Sequence, residues 1–512
     1  MKKSAVIIGG GLSGLHCGLL LLKKGLDVTI LEQHITVGGL AAGFRRKGYY
    51  FDSCMSRFAS DSLAGYFKEA GLGGFEFREH HASLRIGGKT YPTRSVTDFI
   101  AACADAFPQE AGAIHKLYDD RMKSACAFMA IQNGAGAMSY KGLGLMGGMV
   151  KTMAKTVASG SARGMGDLMK SFNVSLQSVL NEYFAEDSPA AAFLFNLTDV
   201  FGKGGETSLM TFLGSISANM ELNRYPAGGF QRLCDAYTDE IRRLGGTIVT
   251  AARAARIRCG NGRAEGVEYT HKGSALFAAA DYVISAADIR KLYTELLDKE
   301  LADSGTLALL DKQETTAPLP IMYLGIRLGS EVIRERFAGA EELIYYPGGT
   351  AQSEEDFYTA APLILHSSSL GNADHAPDGC GSIQIYLASP PNKWMGGWGR
   401  AGGEYKNIKQ TVIRQVMDNV CAVFPELADA SLIDVCELGT PHTVERYTGN
   451  TGGAHCGFTW DRARNTFNPP MGSCKVRTDA APNLLTIGHW TGFMGGVTNA
   501  FASARQAAGI IR

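Results

Sequence analysis

The chain has 512 residues, 45% hydrophobic and 20% charged, which excludes a disordered polymer and leaves material for several domains. Fifty basic residues balance fifty acidic ones, so no bulk charge favours nucleic acid as a partner. Glycine is in excess at 63 residues without a collagen period, which suggests many places where backbone turns tightly or approaches a ligand.

In chain order, Ala5 to Ile8 is a short apolar run of buried-strand type that leads directly into Gly9-Gly10-Gly11-Leu12-Ser13-Gly14, a G-x-G-x-x-G turn. A helix is expected over Leu15 to Lys24, stopped at Gly25, then a strand over Val28 to Leu31 closed by Glu32. Strand, glycine turn, helix, strand and acid within about 30 residues are the parts of a Rossmann-type dinucleotide site. Gly9 permits the turn, Gly11 lets backbone reach a pyrophosphate and Gly14 lets helix and strand pack closely. The helix start, with Leu12 and Ser13, offers N–H groups to phosphate, and Glu32 accepts from an adenosine ribose. A second glycine pair, Gly38-Gly39, followed by Leu40, favours FAD over NAD. Residues 5–22 carry no charge, but five glycines there argue against a membrane span.

Gly142, Gly144 and Gly147 repeat the glycine spacing without a preceding strand or a following acid, so they are not read as a nucleotide site. They lie in a segment, 121–170, that holds eight of the seventeen methionines and seven basic residues against one acid, Asp167. That composition fits either a pliable lid or membrane-touching entrance, or an ordinary Met-rich helical subdomain. Eleven cysteines, none in C-x-x-C, read as reduced thiols of a cytoplasmic protein. Neither H-E-x-x-H nor an EF-hand loop occurs, so no metal is expected.

The far C-terminus reads "NLLTIGHWTGFMGGVTNAFASARQAAGII". A strand runs into Gly488, and a glycine turn at Gly495-Gly496 opens a helix at Val497. This resembles the closing flavin motif of the phytoene desaturase, carotenoid isomerase and retinol saturase family. "RYPAGGFQRLCDAYTDEIRRLGGTIV" at 224–249, "GRAEGVEY" at 262–269 and "ADYVISAAD" at 280–288 are similar to further cofactor segments of that family, and "GNTGGAHCGF" at 449–458 resembles its substrate half. The resemblance implies an α/β fold of the amine-oxidase type, with a discontinuous Rossmann-type FAD-binding domain (1–65, 220–290, 475–512). A second, α+β substrate domain would take 66–219 and 291–474. It departs at Leu40, where the family often has arginine, and at Cys54 and Ser56, where related saturases often have glycine and histidine.

The resemblance further implies FAD bound by Gly9, Gly11, Leu12, Ser13, Gly14, Glu32, Gly38, Gly39, Leu40, Ala254, Gly488, Gly495, Gly496 and Val497. His489, Trp490, His455 and Arg57 are candidates to face the reacting atoms. Cys54 is a candidate to line the flavin or anchor it covalently. His80, His81 and His442 are weaker candidates. The expected reaction reduces or introduces a C=C bond in a hydrophobic, conjugated or isoprenoid small-molecule substrate. A redox-neutral cis/trans isomerase, an amine oxidase and a non-catalytic lipid-carrying flavoprotein are the alternatives. Electrons would come from NAD(P)H or a reduced carrier protein, and peripheral membrane contact is expected.

Overall fold

The structure is a computed structural model describing residues 2–59, 63–126, 167, 170–171, 174–200, 208–220, 223–302, 304–313, 315–316, 318–349, 353, 356–388, 403–458, 476–491 and 496–511. In chain order, the strands of its two large sheets are β1 (Ser4–Ile8), β2 (Asp27–Leu31), β3 (Ala82–Ile86), β4 (Lys89–Thr93), β5 (Thr247–Val249), β6 (Tyr282–Ser285), β7 (Ile321–Ile326), β8 (Glu342–Tyr346), β9 (Leu363–His366), β10 (Gly381–Leu387), β11 (Ile433–Gly439) and β12 (Leu484–Thr486).

The first sheet has the order β5-β2-β1-β6-β12, and every neighbouring pair is parallel. Ile7 of β1 pairs with Ile30 on one side and Ile284 on the other. A central parallel strand is covered on both faces, which is why β1 is apolar without alternation. One face packs on α1 (Leu12–Lys23), α2 (Gly229–Arg243) and α3 (Gly496–Ile510), through Leu15, Leu19, Phe230, Leu233, Phe501 and Ala504. The other packs Val6, Ile8 and Val283 on Ile257 and Val267 of an antiparallel three-stranded sheet, Ala252–Gly260, Arg263–His271 and Ser274–Ala279. The fold is therefore α/β, with a Rossmann-type sheet assembled from distant stretches of chain.

The helix α1 begins at Leu12, earlier than the expected Leu15, because the Leu15 N–H donates to the Gly11 carbonyl and brings Ser13 and Gly14 into the first turn. Gly25 follows with φ +88°, the left-handed geometry a helix stop favours.

The second sheet has the order β11-β7-β10-β9-β8-β3-β4 and is antiparallel except for β8 on β3. Helices Val96–Ala106, Leu176–Tyr183 and Tyr405–Val423 bury their apolar residues in the same core as its strands. A small sheet of Phe58–Ala59, Asn223–Pro226 and Phe77–His80 joins residues from both sides of the expected boundary at 65/66. Residues 127–166 of the Met- and Gly-rich segment, and Gly495, lie outside the described residues. No helix among the described residues is long and apolar enough to cross a membrane.

Candidate functional site

In an open parallel sheet a ligand binds at the carboxyl ends of the strands, where the strand order reverses direction. Here the chain steps outward from β1 to β2 on one side and to β6 on the other. Four loops leave the carboxyl ends on that edge: Gly9 to Ser13 after β1, Glu32 and Gln33 after β2, Ala286 to Asp288 after β6, and Gly488 to Trp490 after β12. All four line one cavity of about 430 Å³.

The glycine turn is shaped by close approach. A Cβ on Gly14 would stand 2.0 Å from the Gly9 carbonyl oxygen. Gly38, at φ +126°, donates its N–H to the Gly10 carbonyl at 2.8 Å, so the second glycine pair lies directly on the first turn. Gly11, Leu12, Ser13, Gly39, Leu40, Ala254, Gly496 and Val497 line the cavity with them. Gly14 lies beneath the turn and off the cavity wall.

Glu32 is buried and accepts from the Gly10 N–H through Oε2 and from the His34 N–H through Oε1, both at 2.7 Å. Burial raises its pKa, against the pull of those amide donors. The start of α1 has Gly11 as N-cap, no side-chain cap and no acid in its first turn, so its N–H groups remain for a ligand. The Ser13 hydroxyl is buried on the same wall without a partner. A helix start left uncapped, an unpaired hydroxyl and a fixed carboxylate are what the pyrophosphate and ribose of a flavin dinucleotide require. The residues present fit FAD.

The cavity's remaining wall brings Cys54, Met55, Leu319, His455, Cys456, His489 and Trp490 together. The stretch Asp52 to Cys54 is held there by the second sheet. Gln384 on β10 accepts from the Asp52 N–H and donates to the Asp52 carbonyl, both at 2.9 Å, and Tyr323 on β7 donates to the Ser53 carbonyl at 2.6 Å. Burial pushes His489 down to about 4. Burial, with His489 beside it, does the same to His455. Both imidazoles are therefore neutral. His455 Nδ1 accepts from the Leu319 N–H at 3.1 Å, which assigns its proton to Nε2, an atom with no partner. Trp490 is 2% exposed, donates through Nε1 to Asn450 Oδ1 at 3.2 Å and meets the Phe458 ring edge-on, so its polar atom is already committed. Burial pushes the Cys54 thiol up, which keeps it protonated and a poor nucleophile for a covalent anchor.

Arg57 does not line the cavity. Its guanidinium is ion-paired with Glu342, at the start of β8, and its side chain is 11% exposed. Its charge is thereby committed to β8 of the second sheet. His80 lies in the same buried group. His81 Nε2 lies 3.6 Å from a Glu79 carboxylate oxygen, and His442 is half-buried; neither lines the cavity. Sequence reasoning passed over Asp288 and Asn450. Asp288 accepts from the N–H groups of Arg290 at 2.8 Å and Thr451 at 2.7 Å, tying the β6 loop to the segment that carries His455. The acid closing "ADYVISAAD", three residues past the end of a strand, is the signal that could have found it.

With the parallel sheet, the cradle and the second sheet closing the far wall, the class is a two-domain dinucleotide-binding flavoprotein. The model described as flavin containing amine oxidoreductase matches residues 12–318, and the chain belongs to that family, whose cofactor is a flavin. It is similar to the all-trans-retinol 13,14-reductase of Danio rerio, at 24% identity over 97% of this chain and 84% of the relative. It is similar also to the 1-hydroxycarotenoid 3,4-desaturase of Flavobacterium sp. (strain P99-3), at 23% over 88% of each, and to the prolycopene isomerase of Daucus carota, at 23% over 88% and 71%. Among solved structures, putrescine oxidase bound to putrescine shares the fold at TM-score 0.61 and 14% identity, covering 100% of this chain and 99% of its own.

Proposed function

We propose that this protein is an FAD-dependent oxidoreductase that saturates a C=C bond in a hydrophobic, conjugated or isoprenoid substrate, or introduces one. Three relatives named for a polyene reduction, a desaturation and an isomerisation support that substrate class. The observation that carries the reading is the pair of neutral imidazoles beside apolar and thiol side chains on one cavity wall. When bound, FAD supplies hydride transfer at its N5.

The chain's own residues bind, orient and exclude water. His455 Nε2–H donates to an uncharged acceptor on the substrate or to negative charge as it develops, and it does so without titrating near neutral pH. His489 lies next to it, and Leu319, Met55 and Cys54 keep the surroundings apolar. The carboxylates on the cavity wall are Glu32, Asp288 and Glu295, and amide donors hold the first two. This arrangement favours an uncharged substrate over an amine.

In the saturating direction, electrons are supplied by NAD(P)H acting directly or by a reduced carrier protein. The protein works in the cytoplasm and touches membrane only peripherally to collect its substrate.

Anaerobic rapid mixing tests the reading. Chemically bleached holoprotein should regain its yellow absorbance on adding a retinol-type polyene, with a saturated bond in the product. Bleaching of the yellow protein by the polyene marks a desaturase, and a geometric isomer without colour change marks an isomerase. Bleaching by a primary amine, with none by polyenes, overturns the reading. His455→Ala should stay yellow while kcat falls about 100-fold, the scale set by removing one preorganised donor.

A further inference from the structure

Three side chains that no mechanism above uses meet in the interior: His80 at the end of strand Phe77–His80, Glu342 at the start of β8 and His366 at the end of β9. Glu342 and His366 stand directly opposite each other in the β8–β9 register, so the sheet itself fixes two of the three. The imidazoles of His80 and His366 lie with ring centroids 5.1 Å apart, and the Tyr225 ring covers both. The potential ligand atoms of the three residues all lie within 4.8 Å of one another, and all three side chains are buried.

We propose that His80, Glu342 and His366 bind one divalent first-row transition-metal ion. Both ring nitrogens of both histidines and the Glu342 Oε2 are buried without a hydrogen-bond partner, a combination that native interiors avoid. The His80 Nε2 to Glu342 Oε2 separation of 3.5 Å is too long for a good hydrogen bond. It is close to the spacing of two ligands that share one ion at about 2.0–2.2 Å. Two imidazoles and one carboxylate form the donor set of zinc and ferrous sites that keep further positions for other ligands.

Arg57 is compatible with the ion. It pairs with Oε1, the oxygen that does not face His80, and a ligating carboxylate ordinarily has such a partner behind it. The ion would tie the small sheet beside the cofactor domain to the floor of the second domain. Spacing motifs did not reveal the site because the register of β8 on β9 and the return of strand Phe77–His80, not local sequence, bring the ligands together.

The test uses tag-free holoprotein equilibrated with zinc(II), then dialysed, with metal and flavin measured on the same sample. About one zinc per chain should remain, with X-ray absorption showing imidazole ligands at about 2.0–2.1 Å. Cobalt(II) loading should add visible bands at wavelengths above the flavin absorption. His366→Ala should lose the retained metal while His442→Ala keeps it, and the flavin content of both should be unchanged. Should His366→Ala fail to fold, the X-ray absorption of the unmodified protein decides alone. The proposal is overturned if the unmodified protein retains no zinc, or retains it without imidazole ligation. The cluster is then an ion pair of Arg57 and Glu342 flanked by His80 and His366.

Discussion

Gly14→Val is expected to give a colourless protein. The Cβ of any side chain at this position would stand 2.0 Å from the Gly9 carbonyl oxygen, well inside van der Waals contact, and the neighbour is backbone, which cannot rotate away. The first turn of α1 must then withdraw from β1, carrying the N–H groups of Leu12 and Ser13 away from the pyrophosphate position. Gly38 follows, because its N–H is held by the Gly10 carbonyl. FAD affinity should fall at least about 100-fold, equivalent to about 3 kcal/mol. Gly65→Ala is the control, since its Cβ meets nothing within 4 Å and its backbone is ordinary. Absorbance of the purified variants, followed by titration with FAD, reads both. A Gly14→Val protein as yellow as the parent would remove the glycine turn from the cofactor site.

The parts of this site that could be read from sequence are those whose geometry is local. From Ala5 to Glu32 each residue's role follows from its position within a single β-turn-α-β unit, and the structure puts Glu32 within reach of Gly10 because β1 and β2 are neighbours. The second glycine pair was legible for the same reason. The rest depends on chain that returns from far away. The His455 tautomer is set by the Leu319 N–H, which no sequence pattern announces. Asp52, visible only as the end of an aromatic strand, proves to be a buried anchor. It accepts from the Tyr50 and Tyr225 hydroxyls at 2.6 Å each and from the Phe230 N–H at 2.9 Å. Arg57, adjacent in sequence to groups that line the cavity, turns away because Glu342 at a sheet end supplies the only full charge that pairs with it among the described residues. Proximity along the chain predicts the wall but not which way a long side chain leaves it.

Folding stability should fall steeply as pH drops from about 6.5 towards 4, and His16 is where this is read most cleanly because it lies off the cofactor cavity. It is buried on the inner face of α1, with Nδ1 3.1 Å from the Tyr237 hydroxyl and its ring edge-on to Phe501. Burial lowers its pKa to about 3, with the positive charges of Arg505 and Lys23 adding to the effect. A base whose folded pKa lies below its unfolded value binds fewer protons when folded. Its contribution is complete above the unfolded pKa of about 6.5 and is lost as pH falls, amounting to about 2 kcal/mol by pH 5. His375, His455 and His489, each lowered to about 4, act in the same direction. Asp52 opposes them. Burial raises its pKa to about 6, so its contribution is present at low pH and is lost as pH rises through that value. Glu342, lowered to about 2 because Arg57 and His80 outweigh its burial, matters only below about pH 4.5. The balance is therefore dominated by histidines that must stay neutral. Urea unfolding at pH 7.5 and pH 5 of the parent and of His16→Gln isolates one of them. The parent should lose about 2 kcal/mol more than the variant between the two pH values. Equal losses would mean that His16 is protonated in the folded state, which its aromatic surroundings and the two nearby cations disfavour.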